Sequence, residues 1–333
     1  MAIIVLKDAE SHREVTNLLI EAGAEYKRIT FCNKHLIIAW PDSKLKNINL
    51  NLPQVEAVIF TRTPYMLASR DFIDKIIFDI GNVKVNTNDL LIIAGPCAVE
   101  KEEYVLETAR LVKKAGAHVL RGGAFKPRTS PYSFQGLGEE GLKILKKARE
   151  ETGLPVVTEV MDTRHVDLVA KYVDILQIGA RNCQNFYLLR EAGRTKKPIL
   201  LKRGFGVLID EWILCAEYIM LEENEKVILV ERGIRTFEKS TRFTLDISAI
   251  PVIKQKTNLP IIVDPSHPAG RRELVEPLAL AGIAAGADGI IVEVHVEPEK
   301  ALCDAEQQLT PEQFSNLMNK IRALAEVLGR RVP

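Results

Sequence analysis

The chain has almost no net charge: 45 lysines and arginines against 44 aspartates and glutamates leave +1 over 333 residues. That balance gives no bulk attraction to duplex nucleic acid or to an anionic membrane surface, and it confines any anion recognition to a local site. No apolar run approaches the roughly 18–20 residues that cross a bilayer. The N-terminal "MAIIVLKDAE" has no basic leader segment and reads as a strand, not as a signal peptide. Cysteine is scarce. Cys32, Cys97, Cys183, Cys215 and Cys303 are odd in number, far apart and without a Cys-x-x-Cys pair, which argues against a disulfide framework and for free thiols in a reducing cytoplasm. Internal repeats, low-complexity tracts and a disorder signature are also missing.

What is present divides in two, since 333 residues exceed the span of one ordinary core. Residues 1–70 read as a small unit. "AIIVL" is a strand, and "SHREVTNLLIEAG" a helix opening at Ser11 and closing at Gly23. "YKRITF" and "HLIIAW" form a hairpin around Asn33-Lys34, and "PQVEAVIF" is a short helix running into a last strand. This is close to βαββαβ, a ferredoxin-like domain. It holds no catalytic-looking cluster and is either a binding or regulatory module or an oligomer-forming appendage. Residues 71–333 begin with a hairpin turning at Gly81-Asn82. Eight apolar, β-branched runs follow, from "LLIIAGPC" (90–97) to "GIIVEVHV" (289–296), with amphipathic segments between them. Eight buried strands alternating with helices predict a (β/α)8 TIM barrel.

In such a barrel the active site lies at the C-terminal strand ends. Read in order, those ends carry Cys97, Arg121 with Lys126, Glu159, Arg181, Lys202, Arg232, His267 and Glu293. Strands one, seven and eight become neighbours on closure, so Cys97, His267 and Glu293 are expected to converge, with Asp304 from the following loop as a fourth donor. Sulfur, imidazole and carboxylate together suit a divalent transition metal such as Mn, Zn, Fe or Co better than Ca²⁺ or Mg²⁺. His295, two residues beyond Glu293, is a rival that reads better as a residue supporting the ligands or the structure, and His165 reads as solvated on a helix.

The cations occupy the other arc. Arg121, Lys126, Arg181, Lys202 and Arg232 at one barrel mouth call for a small anion with several charges, one bearing both phosphate and carboxylate. Lys202 also allows a Schiff-base mechanism, although Arg203 follows it directly.

The segments "IAGPCAVE", "RGGAFKPRTSPYSFQGLG", "QIGARNCQNF", "LLKRG", "ERGIRTFE", "VDPSHPAGRR" and "VEVHVEPEKAL" resemble DAHP synthase, most closely its type I beta class, from about residue 75 to 330. The resemblance implies condensation of phosphoenolpyruvate with erythrose 4-phosphate, the first step of the shikimate pathway toward aromatic amino acids. It implies Cys97, His267, Glu293 and Asp304 as metal ligands, and Arg121, Lys126, Arg181, Lys202 and Arg232 as phosphoenolpyruvate contacts. Arg128, Thr129 and adjacent Ser130 would meet the aldose phosphate, Glu159 and Asp264 would line the cavity, and Lys126 would serve proton transfer. It further implies a homotetramer in the cytoplasm, with an aromatic amino acid as effector of the front domain.

Three departures stand out. Cys303-Asp304-Ala305 replaces the family's usual Ser-Asp-Gly, which stiffens the loop, threatens to move Asp304 and brings a second thiol near the metal. Pro268 stands where a small flexible residue is usual, and Cys183 beside Arg181 reads as a packing residue. The nearest alternative is KDO-phosphate synthase acting on arabinose 5-phosphate, whose family reads Ala-Asn-Arg-Ser where this chain has Lys126-Pro127-Arg128-Thr129-Ser130. A non-catalytic, metabolite-sensing barrel would need a broken donor or cation set, and the sequence shows neither.

Overall fold

The structure, a computed structural model, describes residues 1–333. β1 (Ala2–Leu6), α1 (Arg13–Glu21), β2 (Glu25–Phe31), β3 (Lys34–Trp40), the one-turn α2 (Asp42–Leu45) and β4 (Val55–Phe60) build the N-terminal unit. Its antiparallel sheet runs β2-β3-β1-β4, the ferredoxin-like order. Three local expectations shift. Ser11 does not cap α1; it bonds Asp8 Oδ1 through both its amide and its hydroxyl, and the helix begins at Arg13. The hairpin turns at Cys32-Asn33, with φ of 49° and 58°, because a two-residue turn matching strand twist needs left-handed backbone at both positions. The second helix sits at Asp42–Leu45, directly after β3, and not before β4. The Asn-rich stretch that follows prefers side-chain turns, as in Asn51 N donating to Asn49 Oδ1 at 3.1 Å.

β1 reads as an unbroken apolar run because both sheet faces are covered. Ala2, Ile4 and Leu6 pack with Val15 and Leu19 of α1. Ile3 and Val5, with Ile29, Phe31, Leu36 and Ile38, join the main core of the larger unit.

That larger unit opens with the hairpin β5 (Phe78–Ile80) and β6 (Val83–Val85). Then come β7 (Leu91–Gly95), α3 (Glu102–Ala115), β8 (Val119–Arg121), α4 (Glu139–Thr152), β9 (Val156–Glu159), α5 (Val166–Tyr172), β10 (Ile175–Ile178) and α6 (Phe186–Arg194). The second half holds β11 (Ile199–Lys202), α7 (Ile209–Met220), β12 (Val227–Glu231), α8 (Ala249–Lys256), β13 (Ile261–Val263), the short α9 (Ser266–Ala269), α10 (Arg272–Ala284), β14 (Gly289–Glu293) and α11 (Pro311–Val327). The eight strands β7–β14 are parallel and close on themselves: β14 pairs with β7 from Gly289–Leu91 to Glu293–Gly95. The helices end where their sequences say. Gly116 closes α3 in the left-handed region at φ 107°, and Thr310 with Gln313 makes a reciprocal capping box ahead of Pro311 in α11.

Glu217 of α7 ties the two units together. Buried, it accepts the backbone N–H groups of Met66 and Leu67 on one oxygen (2.9 and 2.8 Å) and of Ala68 on the other (3.0 Å). Burial pushes its carboxyl above the ordinary value, and the three amides work against that. Glu217→Ala would orphan three buried donors at about 1–3 kcal/mol each, so a loss of roughly 3 kcal/mol or more is expected in urea unfolding. A loss under about 1 kcal/mol would mean that water reaches those amides.

Candidate active site

The C-terminal ends of β7, β13 and β14 converge as closure demands. Cys97 lies just beyond β7, His267 in α9 just beyond β13, Glu293 ends β14, and Asp304 hangs in the loop after it. The donor atoms form two groups that share Asp304: Cys97, Cys303 and Asp304, and His267, Glu293 and Asp304. Within each group they lie within 4.8 Å of one another. Cys97 Sγ is 3.2 Å from Cys303 Sγ and 3.6 Å from Asp304 Oδ2, and His267 Nε2 is 3.5 Å from Glu293 Oε1. Cys97 points its proton at Cys303; that bond and burial push Cys97 up, while Cys303 is pulled down by receiving it. Asp264 stands 2.7 Å from His267 Nδ1, which leaves Nε2 facing the other donors. Sulfur, imidazole nitrogen and carboxylate oxygen at such separations fit a divalent transition ion, and Cys303 adds a second sulfur to the expected set.

The Cys303-Asp304-Ala305 departure resolves locally. The left-handed residue of the loop is Asp304, at φ 51°, and not the position where glycine is usual, so Ala305 is tolerated. Pro268 occupies the first turn of α9, where no intrahelical N–H is needed, and its carbonyl accepts the amide of Phe243 at 3.1 Å. Cys183 is buried in the main core.

Beside the donors opens a cavity of about 270 Å³. Lys126, Arg128, Thr129, Ser130, Glu159, Arg181 and Arg232 line it together with His267, Cys303 and Asp304. Lys126 is buried, its Nζ 2.9 Å from the Cys97 carbonyl and 3.1 Å from Cys97 Sγ. Burial opposes its charge, yet the Cys97 and Cys303 sulfurs hold it above the ordinary lysine value. Close approach of the two chain segments requires Gly123: a Cβ there would sit 2.6 Å from Lys126 Cδ and 2.9 Å from the Cys97 carbonyl. Arg128 donates to Cys303 Sγ, and Arg181 reaches Thr129 Oγ1 at 3.4 Å. Glu159 turns one buried, unpartnered oxygen toward Gly179 and receives Gln177 on the other at 3.2 Å.

Arg121, Lys202 and Asp264 lie behind this lining. Arg121 donates to Glu293 Oε1 and to the Cys97 carbonyl, both at 3.0 Å. Lys202 pairs with Asp264 Oδ2 at 2.7 Å, and burial pushes its amine down while Asp264 opposes the shift. A paired, recessed ammonium is a fixed charge and a poor Schiff-base nucleophile. Of the remaining histidines, His295 is a structural residue whose Nδ1 accepts the Glu297 amide at 2.9 Å and whose ring packs edge-on against Tyr104. His165 is not freely solvated on a helix: it ends a 3₁₀ turn and stacks on Phe125 at 5.3 Å.

Two features escaped the strand-end reading. Arg242, in the loop after β12, pairs with Asp304 at 3.1 Å and joins the cavity wall. Phe205 and Phe243 stack with centroids 5.0 Å apart, and the Arg232 guanidinium lies over both, 4.2 Å from Phe243. Arg232 is buried, and burial lowers its value to about 10. Aromatic faces thus hold a guanidinium that the protein otherwise desolvates. No local pattern marks either feature, since the partners meet only across the barrel mouth.

The chain carries the sequence pattern of the DAHP synthetase I family over residues 75–328. It is 55% identical over 283 residues to a phospho-2-dehydro-3-deoxyheptonate aldolase of Thermotoga maritima, covering 85% of this chain and 84% of that protein. The crystal structure of a Thermotoga maritima DAHP synthase superposes with a TM-score of 0.80 at 48% identity, covering 99% of this chain and 98% of the other. A truncated form of a 3-deoxy-D-arabino-heptulosonate 7-phosphate synthase from the same organism matches 80% of this chain, and 98% of its own, at a TM-score of 0.75 and 51% identity. A 2-dehydro-3-deoxyphosphooctonate aldolase of Geobacter sulfurreducens is more distant, 32% identical over 268 residues, with 75% of this chain and 97% of that protein covered. A closed eight-stranded barrel with thiol, imidazole and carboxylate donors gathered beside a cationic cavity, and a matching pattern through the whole barrel, place this chain in the DAHP synthetase I family.

Proposed function

We propose that the barrel joins phosphoenolpyruvate to erythrose 4-phosphate and water, releasing inorganic phosphate and 3-deoxy-D-arabino-heptulosonate 7-phosphate. The observation that carries this reading is a single mouth in which five cations (Lys126, Arg128, Arg181, Arg232 and Arg242) share one cavity with the donors His267, Cys303 and Asp304. Two phosphates and a carboxylate need such a positive surface, and an aldehyde activated for carbon–carbon bond formation needs an electrophile beside it.

Cys97, His267, Glu293 and Asp304 would hold the metal, which when bound supplies Lewis-acid polarisation of the aldehyde oxygen. Arg181, Lys126 and Arg232 face the cavity and bind phosphoenolpyruvate, with Arg121 and Lys202 adding fixed positive charge from behind. Arg128, Thr129 and Ser130 receive the aldose phosphate. The enol carbon attacks the aldehyde carbon, water adds at the carbon bearing the phosphate, and that C–O bond breaks to free phosphate. Lys126, charged and between the two groups of residues, passes a proton to the new alkoxide oxygen. Glu159 is the carboxylate on the same wall, one oxygen packed against Gly179 and the other held by Gln177.

Relatives 32–34% identical carry the name 2-dehydro-3-deoxyphosphooctonate aldolase, so arabinose 5-phosphate is the second acceptor to test. The loop Lys126-Pro127-Arg128-Thr129-Ser130 supports the four-carbon sugar phosphate. Phosphate release is expected with phosphoenolpyruvate plus erythrose 4-phosphate. Release with arabinose 5-phosphate alone would reverse the choice.

The N-terminal sheet supports a regulatory role: an aromatic amino acid held by this unit in a homotetramer would act on the barrel through β2, whose Lys27 donates to the Leu221 carbonyl at 2.6 Å just past α7. In the same assay, protein lacking residues 1–60, which keeps the Met66, Leu67 and Ala68 amides on Glu217, should keep turnover and lose any response to tyrosine or phenylalanine. Five free cysteines, two of them beside the reacting groups, suit a reducing cytoplasm.

A further inference from the structure

Gln307 and Gln308 follow Asp304 in the loop that leads to α11, and both are buried. Gln307 Nε2 donates to Glu293 Oε2 at 2.6 Å and lies 3.5 Å from Asp304 Oδ2. Its Oε1 accepts from Arg242 at 3.0 Å, the same guanidinium that pairs with Asp304. Gln308 works on the sulfur side: Oε1 accepts the Cys97 amide at 3.0 Å and Nε2 donates to the Cys303 carbonyl at 2.9 Å. Two adjacent side chains therefore touch the residues that supply four of the five converging donors, while Asp264 serves the fifth, His267.

We propose that Gln307 and Gln308 are positioning residues of the metal centre, a statement that rests on the metal reading above. Gln307 occupies Oε2 of Glu293, so that carboxylate meets a cation only through Oε1, the oxygen that also accepts from Arg121, and Gln307 orients Asp304 through its contact with Oδ2. Gln308 pins the 303–304 loop to the end of β7 and so sets the spacing of the two sulfurs. The residue type follows from the charge. A lysine at 307 would neutralise Glu293 and compete with a metal, and a glutamate would repel both neighbouring carboxylates. A neutral amide holds them without doing either.

Co²⁺ is the probe, because its thiolate charge-transfer and d–d absorption report ligand type and coordination number without turnover. Metal-stripped wild type, Gln307→Leu, Gln307→Asn, Gln308→Leu and Cys97→Ser are titrated with Co²⁺ against a competing chelator. Gln307→Leu and Gln308→Leu are expected to bind Co²⁺ about 10–100-fold more weakly, the usual cost of losing an outer-shell partner. Gln307→Leu should also lose d–d intensity as Glu293 becomes free to offer both oxygens. Gln307→Asn, polar but too short to span the gap, should weaken binding similarly; it carries the test if the leucine variant does not fold. Wild-type affinity and spectrum in the Gln307 and Gln308 variants would overturn the proposal. Cys97→Ser separates the two layers: charge-transfer intensity reduced there to what Cys303 alone gives, or lost, upholds the metal reading even if the glutamine variants are silent, and an unchanged spectrum overturns both.

Discussion

Protein stripped with EDTA is expected to release no phosphate from phosphoenolpyruvate and erythrose 4-phosphate, and Cys97→Ala is expected to stay at that floor at metal concentrations that restore the wild type. Lewis-acid activation supplies several kcal/mol of the barrier, so the fall should be roughly 10³-fold or more. Cys97 is fully buried at the end of β7, its sulfur 3.2 Å from Cys303 and 3.6 Å from Asp304. Alanine leaves the harder set of His267, Glu293 and Asp304, with Cys303 as the remaining sulfur. Loss of a direct ligand should cost more than the roughly 100-fold ceiling typical of outer-shell partners. The preference among added ions should also move away from the thiophilic ones, Zn²⁺ and Co²⁺, toward Mn²⁺. Assays of phosphate release over a metal titration read both effects. Full turnover by the alanine variant in EDTA would remove the metal from the mechanism.

Asp264→Asn is expected to lower the thermal midpoint by roughly 6–10 °C and to abolish turnover with it. Asp264 has no exposure and serves two partners through Oδ2, Lys202 Nζ and His267 Nδ1, each at 2.7 Å, while Oδ1 accepts the His267 amide at 3.1 Å. Removing one member of a buried ion pair costs about 3–5 kcal/mol, because the remaining charge stays desolvated. In a chain this long each kcal/mol is worth about 2 °C. The pH dependence has a definite sign. Burial works against the Asp264 charge, but His267 and Lys202 hold its carboxyl well below the usual carboxylate range. A depressed folded-state value means that the stabilisation is present above the unfolded value of about 4 and is lost as pH falls through the folded one. The wild type should therefore weaken below about pH 4 by an amount that Asp264→Asn, which lacks the titrating group, does not lose. Calorimetry of both proteins from pH 7 to pH 3 checks this; equal midpoints at pH 7 would mean that Lys202 and His267 find other partners.

Much of this site was written along the chain. Strand and helix periodicities are local, and eight alternations leave few ways to close. Once they close, the strand ends are ordered around a ring by their order in the sequence. Cys97, His267 and Glu293 met for that reason, but the cations do not keep to an opposite arc: Arg121 donates to Glu293 and Lys126 lies 3.1 Å from Cys97 Sγ. The type of each donor is likewise a property of the residue, so a mixed sulfur, nitrogen and oxygen set could be anticipated from three strand ends and one loop.

Only the tertiary structure decided who touches whom. Arg121 and Lys202 belong to the strand-end cations, yet each spends its charge on a buried carboxylate, Glu293 or Asp264, behind the cavity wall. Arg242, the Phe205–Phe243 platform and the Gln307–Gln308 pair stand at no strand end and repeat at no period. Their roles come from loops that cross the barrel mouth, and a loop's path is set by long-range packing and hydrogen bonding that no neighbouring residue encodes. The left-handed backbone of Asp304 is of the same kind: the residue sequence raised a worry about Ala305, and the folded loop placed the demanding conformation one residue earlier. Local periodicity determined the frame and which groups face its mouth. The geometry that turns those groups into a site belongs to contacts between segments hundreds of residues apart, such as Cys97 with Gln308, 211 positions away.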